Sequence, residues 1–191
     1  MKIAIVDNAI PASIALSAAV DFPDLSWDGW HFYDDVNACK RGMKDGADFP
    51  SPSLAVCLRE MAMACGNHIR GGCFADFSLF GAGLHRMDEG GFLKPHLDAS
   101  MHRLKGWRRE YSATLFLSPS WSVGAGGELS FTDQLILPVF NRLVLFRCTD
   151  QAFHEVKKVA SAEPRLSLAL FFYSLREPSD ITRTKAKFDY E

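Results

Sequence analysis

His96 and Asp98 stand one residue apart in GGFLKPHLDAS, residues 90–100. The run looks extended, and side chains two apart on a strand point to the same face. An imidazole and a carboxylate would then enter one space, where they can share a metal ion. The pair alone proves little, because a His-x-Asp tripeptide often arises by chance. Further along, CTDQAFHEVKKV supplies His154. Two neutral imidazoles and one carboxylate on one face of an iron ion leave three positions open for an oxidant and a co-substrate. A closed zinc site would want four protein ligands instead.

The last long apolar run, RLSLALFFYS, adds Arg165 and Ser167 on one face, opposite Leu166, Leu168, Leu170 and Phe172. An arginine facing inward from an apolar strand is costly unless an anion meets it. Its guanidinium fork can grip a carboxylate, with Ser167 as a further contact. A dicarboxylic 2-oxo acid fits, one end chelating the metal and the other reaching Arg165. Glu163 is close enough in sequence to compete as an ion-pair partner. His102 competes for the role of second imidazole ligand, but its neighbours Arg103 and Lys105 would repel a cation. His154 opens a strand that can pair beside the His-x-Asp strand, with Val156 on the same face walling the pocket. The choice falls on His154. His85 and Asp88 read as incidental, and Glu155 points away.

The elements that must position these groups follow from pattern and punctuation. KIAIV, residues 2–6, reads as a strand. Asn8 is the expected cap of a helix with Pro11 in its first turn and Leu16, Ala19 and Val20 inward. Residues 21–50 show no period. Ser51-Pro52 opens a second helix with Leu54, Leu58, Met61 and Cys65 at helical spacing, ended by Gly66. From residue 72 about eight short strands follow: CFADFSLF, LHRM, FLKPHLD, YSATLFL, GELSF, RLVLFR, FHEVKKV and RLSLALFFYS. Serial strands without βαβ alternation predict a sandwich or barrel of jelly-roll type. The expected organisation is one domain over 1–175. Within it, 1–71 is a strand–helix support and 72–175 the barrel core, and a polar, loosely held tail covers 176–191.

The chain has 191 residues, 48% of them apolar and 23% charged, and the net charge is −2. That balance gives no global reason to expect nucleic acid or a membrane surface as partner. Five cysteines without a CxxC pair argue against a disulfide scaffold or structural zinc, and suit reduced thiols in the cytoplasm. No run approaches the ~20 apolar residues of a membrane span. The short Ala/Ser-rich opening is a poor signal peptide. The loop ASMHRLKGWRRE, 99–110, reads as solvated; if it folds over a substrate, its basic and aromatic residues would suit an acidic partner.

The ordered set His96-x-Asp98, His154 and Arg165-x-Ser167 resembles the Fe(II)/2-oxoglutarate-dependent dioxygenases. The stretches GGFLKPHLD, FLSPSW, GGELSF, PVFNRLVLF and RLSLALFFY are similar to the prolyl 4-hydroxylase-like branch, over roughly residues 80–175. The resemblance implies a mainly β, double-stranded β-helix (cupin-like jelly roll) with flanking helices. It implies an Fe(II) triad of His96, Asp98 and His154, with Arg165 on the distal carboxylate of 2-oxoglutarate. O2 would be the oxidant, with ascorbate as a compatible reductant. The activity implied is hydroxylation of an unactivated C–H bond. The substrate would be a peptidyl side chain such as proline, or a free amino acid or other small molecule. Relatives often carry tyrosines near Met87 and Phe116 and a tryptophan near Phe171; neither Met87 nor Phe116 can donate a hydrogen bond.

Two rivals predict different chemistry. A cupin-like metalloenzyme would use the triad without 2-oxoglutarate, and Arg165-x-Ser167 argues against it. A binding module that kept the barrel and lost turnover is opposed by the intact triad.

Overall fold

The computed structural model describes residues 2–33, 39–176 and 183–188. In chain order the strands are β1 (Ile3–Val6), β2 (Trp30–Tyr33), β3 (Lys40–Met43), β4 (Phe74–Ala75), β5 (Gly83–Met87), β6 (Leu93–Leu97), β7 (Arg108–Phe116), β8 (Leu129–Phe131), β9 (Gln134–Ile136), β10 (Leu143–Arg147), β11 (His154–Val156), β12 (Arg165–Ser174) and β13 (Lys187–Phe188). Two helices, α1 (Ala12–Val20) and α2 (Pro52–Gly66), lie between them. The larger sheet runs β1-β10-β7-β12-β5-β3-β2, with β4 also on β12; the smaller runs β13-β6-β11-β8-β9. Every pairing is antiparallel, and most spatial neighbours are distant in sequence. This is the mainly β, double-stranded β-helix with flanking helices that the family resemblance implies, and one of the solutions that the strand series allows.

The alternation of β12 explains how the layers stack. Leu166, Leu168, Leu170 and Phe172 join Leu54, Leu58 and Met61 of α2 in one apolar cluster. The other face of the larger sheet sends Met87, Phe116, Val144 and Phe146 against Leu129, Phe131, Ile136 and Val156 of the smaller sheet. The second helix forms as expected. Ser51 accepts a hydrogen bond from the Ser53 backbone N–H and Pro52 opens the first turn, where its missing N–H costs nothing.

Several local expectations fail for identifiable reasons. Asn8 is no cap: its φ is 51°, and α1 begins after Pro11 without a side-chain cap. α1 buries Ala15 and Ala18, small enough for close packing on α2, while Leu16 and Val20 are 48% and 83% exposed. Residues 72–80 do not make one strand, because Asp76 accepts hydrogen bonds from the Ser78 N–H and hydroxyl and turns the chain after Ala75. The aperiodic 21–50 stretch contains the β2–β3 hairpin strands, which pair Tyr33 with Lys40 and Trp30 with Met43. β1, β2 and β3 all belong to the larger sheet. Within the expected loose tail, β13 pairs with β6, and Arg183 bonds the backbone of Ser100 and Asp98. The rest of that tail, 177–182 and 189–191, lies outside the described residues.

Candidate active site

The two sheets enclose a cavity of about 330 Å³ lined by both. From the smaller sheet come His96 and His154, which face each other directly in the β6–β11 register. Asp98 follows one residue past the end of β6. One ligand atom from each of His96, Asp98 and His154 lies within 4.8 Å of the others. His96 Nε2 is 3.6 Å and His154 Nε2 4.0 Å from Asp98 Oδ1.

Backbone carbonyls fix the two imidazoles. Nδ1 of His96 is 2.9 Å from the Lys94 carbonyl, and Nδ1 of His154 is 2.9 Å from the Ala152 carbonyl. A carbonyl only accepts, so both rings carry a proton on Nδ1 and present Nε2 toward Asp98. That is how metal-ligating imidazoles are held. Burial, reinforced by His96, pushes His154 down to about 4 and keeps it neutral. Burial alone would raise the Asp98 carboxyl, but His96, His154 and Arg109 outweigh it and hold it well below the usual range. Asp98 Oδ2 accepts the Ser112 hydroxyl at 2.6 Å and has Arg109 at 3.9 Å. Two imidazole nitrogens and an oriented carboxylate suit a divalent ion, and no other His, Cys, Asp or Glu joins them among the described residues.

His102 has the opposite tautomer. Its Nδ1 accepts from the Leu104 and Lys105 N–H groups, so its Nε2 proton faces Asp76 Oδ2 at 3.3 Å. The ring is stacked on Phe80, away from the three-residue cluster. The loop around it is less solvated than its composition suggests. Trp107 wedges edge-on against Phe74, and only Ala99, Met101, Arg103 and Arg109 of residues 99–110 line the cavity. Arg109 is buried, with its guanidinium 3.6 Å over the Phe171 ring.

The larger sheet supplies cations. Arg165 is buried at the start of β12, with Nε donating to the Gly127 carbonyl at 2.7 Å and Nη1 3.4 Å from Ser167 Oγ. Gly127 has φ +68°, and a Cβ there would sit 3.0 Å from Arg165 Cδ, so glycine is what lets the guanidinium dock. Glu163 is exposed, and no carboxylate ion-pairs with Arg165 among the described residues. Burial accordingly pushes Arg165 down to about 10.

Sequence reasoning missed four cavity residues. Lys40 is buried, and burial pushes its ammonium down to about 8. His85, read as incidental, lines the cavity, and burial followed by the charges of Lys40 and Arg165 holds it well below its ordinary value. Its supposed partner Asp88 instead pairs with Arg41 and Arg86. Ser112 and Arg109 complete the set. Arg109 was legible in principle, since it also opens a long buried strand. Lys40 and His85 sit in short segments with no alternation to mark a face.

Residues 82–173 match the family described as the 2OG-Fe(II) oxygenase superfamily. Over 84 residues the chain is 34% identical to prolyl 3-hydroxylase OGFOD1 of Mus musculus, a match spanning 37% of this chain and 15% of that protein. Among solved structures, a Pseudomonas putida prolyl-4-hydroxylase aligns with TM-score 0.61 at 21% identity, covering 91% of this chain and 93% of that one. HygX from Streptomyces hygroscopicus, with nickel, 2-oxoglutarate and hygromycin B bound, aligns with TM-score 0.58 at 12% identity, covering 95% and 84%. At these identities the structural likenesses speak for the fold.

Proposed function

We propose that the chain, whose residues 82–173 match the 2OG-Fe(II) oxygenase superfamily, hydroxylates an unactivated C–H bond of a peptidyl side chain such as proline. The observation that carries the site assignment is the convergence of two carbonyl-fixed imidazoles and Asp98 within 4.8 Å. His96, Asp98 and His154 would hold Fe(II). When bound, iron supplies the oxidation, in which O2 and 2-oxoglutarate convert substrate C–H to C–OH with release of succinate and CO2. Arg165, assisted by Ser167, would bind the distal carboxylate; it is buried and has no carboxylate partner among the described residues. Ser112 orients Asp98 by donating to the oxygen turned away from the imidazoles. Met87, Phe116, Val156 and Phe146 exclude water from the reacting centre.

The likeness to a prolyl 3-hydroxylase supports a prolyl substrate. A free amino acid or other small molecule is the second reading, and residues 184–186 and Phe188 also line the cavity it would enter. Five free cysteines suit a reducing compartment such as the cytoplasm. No helix among the described residues is long and apolar enough to cross a membrane.

Anaerobic addition of Fe(II) and 2-oxoglutarate should produce the visible charge-transfer absorption of a 2-oxo acid on iron. Admitting O2 should then release succinate, faster with a proline-containing peptide than with free proline. Absence of both signals overturns the co-substrate assignment. Stimulation by free amino acids but not by peptides overturns the peptidyl one.

A further inference from the structure

Lys40 is left without a task by the metal triad and Arg165. It is 8% exposed and lines the cavity, and its ammonium makes no hydrogen bond or ion pair among the described residues. Its Nζ lies 4.8 Å from the centroid of the Tyr33 ring. A buried ammonium without an anion is costly, and the cost is most simply recovered when an anionic ligand arrives.

We propose that Lys40 is a second anchor for the distal carboxylate of 2-oxoglutarate, acting with Arg165 from the far side of Met87. The inference rests on the co-substrate reading above. Sheet register supports it: Lys40 pairs with Met87, and Met87 pairs with Arg165, so the three stand in one row across β3, β5 and β12. Two strand spacings put the backbones of Lys40 and Arg165 about 10 Å apart, a gap that two long side chains can close on one carboxylate. Met87 between them offers no donor, and neither does Phe116, whose ring lies 4.8 Å from the Arg165 guanidinium. Arg165 is also partly committed, through Nε to Gly127 and Nη1 to Ser167. A carboxylate has roughly four lone-pair sites, more than the remaining fork can fill. Lys40 is the cation placed to fill the rest. Lys40, Asp98 and Arg165 all line the same cavity.

The test is calorimetry on the Mn(II)-loaded protein, titrated with 2-oxoglutarate and separately with oxalate, which chelates a metal but has no distal carboxylate. Lys40→Met should weaken 2-oxoglutarate at least about tenfold and leave oxalate unchanged, as expected for one charge-assisted contact. Lys40→Arg should recover most of the affinity. If Lys40→Met does not fold, Lys40→Gln serves in the same titrations. Equal loss for both ligands would place Lys40 at the chelating end, and no loss for either would remove it from co-substrate binding; either result overturns the inference. Arg165→Met separates this from the parent reading. If it too leaves 2-oxoglutarate unaffected, the co-substrate site itself is wrong. If it weakens 2-oxoglutarate while Lys40→Met does not, only the role of Lys40 falls.

Discussion

The two sheets contribute to the cavity in opposite ways. On the smaller sheet the functional groups are short, fixed and internally satisfied: His96 and His154 are each tied to a carbonyl two residues earlier. On the larger sheet they are long cations held in burial, with Lys40 and Arg165 lacking a carboxylate partner among the described residues and Arg109 only 3.9 Å from Asp98. The first arrangement is complete before any ligand arrives, as suits an ion that demands geometry. The second stores an electrostatic cost that an anion relieves. Substitutions on the smaller sheet should therefore destroy binding at little gain, whereas removing a cation from the larger sheet should weaken a ligand and can stabilise the empty protein.

The largest effects belong to the smaller sheet. Asp98→Ala and His154→Ala should each lower metal affinity more than about 100-fold, since even outer partners of metal ligands are worth 10–100-fold. Mn(II) binding followed by electron paramagnetic resonance measures this directly, and succinate release should vanish with it. His102→Ala should keep the metal and instead lose roughly 2–3 kcal/mol of stability, because that ring fills a buried aromatic site. A His102 variant that loses metal while His154→Ala retains it would move the site to the other end of the loop.

Next comes the anion side. Arg165→Met should weaken 2-oxoglutarate by about 30-fold or more without changing metal affinity, as the loss of a buried charge-assisted contact requires. Gly127→Ala should give a milder version of the same defect, because its methyl would press on Arg165 Cδ from 3.0 Å. Calorimetry on the metal-loaded variants checks both, and an unchanged Gly127→Ala titration would mean that Arg165 docks without its carbonyl.

The contrast between the sheets also governs what the sequence made visible. The convergence of His96, Asp98 and His154 was legible because β6 and β11 are punctuated runs whose alternation assigns a face to each residue. His154 could be preferred to His102 on strand pairing alone, and the structure brings His154, not His102, beside His96 and Asp98. Arg165 was legible by cost, a charge opening an apolar strand. Lys40 carries no such mark. KRGM is four residues long and looks solvated, and only its pairing with β5, set by tertiary contacts, turns Lys40 inward. The two alanines of α1 were hidden for a similar reason, since the larger Leu16 and Val20 outweighed them in any reading by hydrophobicity. Asp76 broke an apparent strand with a local side-chain turn that alternation alone does not register.

Lys40 should also leave a trace in stability that sharpens the comparison. Burial lowers its ammonium from 10.5 to about 8, so between those values the folded chain binds fewer protons than the unfolded one. Stability from this group is fully present above pH 10.5 and is lost as pH falls through 8. The metal-free protein should therefore gain stability from pH 8 to 10.5, relative to Lys40→Met, which lacks that slope. At pH 7 the variant should be the more stable of the two by roughly 3 kcal/mol. Urea unfolding of both proteins across pH 7–10.5 measures the difference, in which other titrating groups cancel. A variant less stable at pH 7 would show that the ammonium is satisfied in the empty cavity.

The smallest effect tests whether the smaller sheet's carboxylate is held as firmly as its imidazoles. Asp98 lies beyond the end of β6, so no strand pairing fixes its side chain. Its orientation comes across the cavity from Ser112 on β7, whose hydroxyl donates to Oδ2 at 2.6 Å and lies 3.1 Å from Cys148 Sγ. Ser112→Ala removes that donor and leaves Arg109 as the remaining neighbour of Oδ2. The carboxylate then gains rotational freedom, and Arg109 can draw it off the metal. Metal affinity should drop about tenfold, at the low end for an outer partner, while 2-oxoglutarate affinity at saturating metal stays unchanged. Thermal melting of the metal-free variant should shift little, because the lost hydroxyl leaves a carboxylate that Arg109 still faces. If metal affinity is unchanged while the melting temperature falls, Ser112 is a packing residue, and β7 does not share in orienting the metal site.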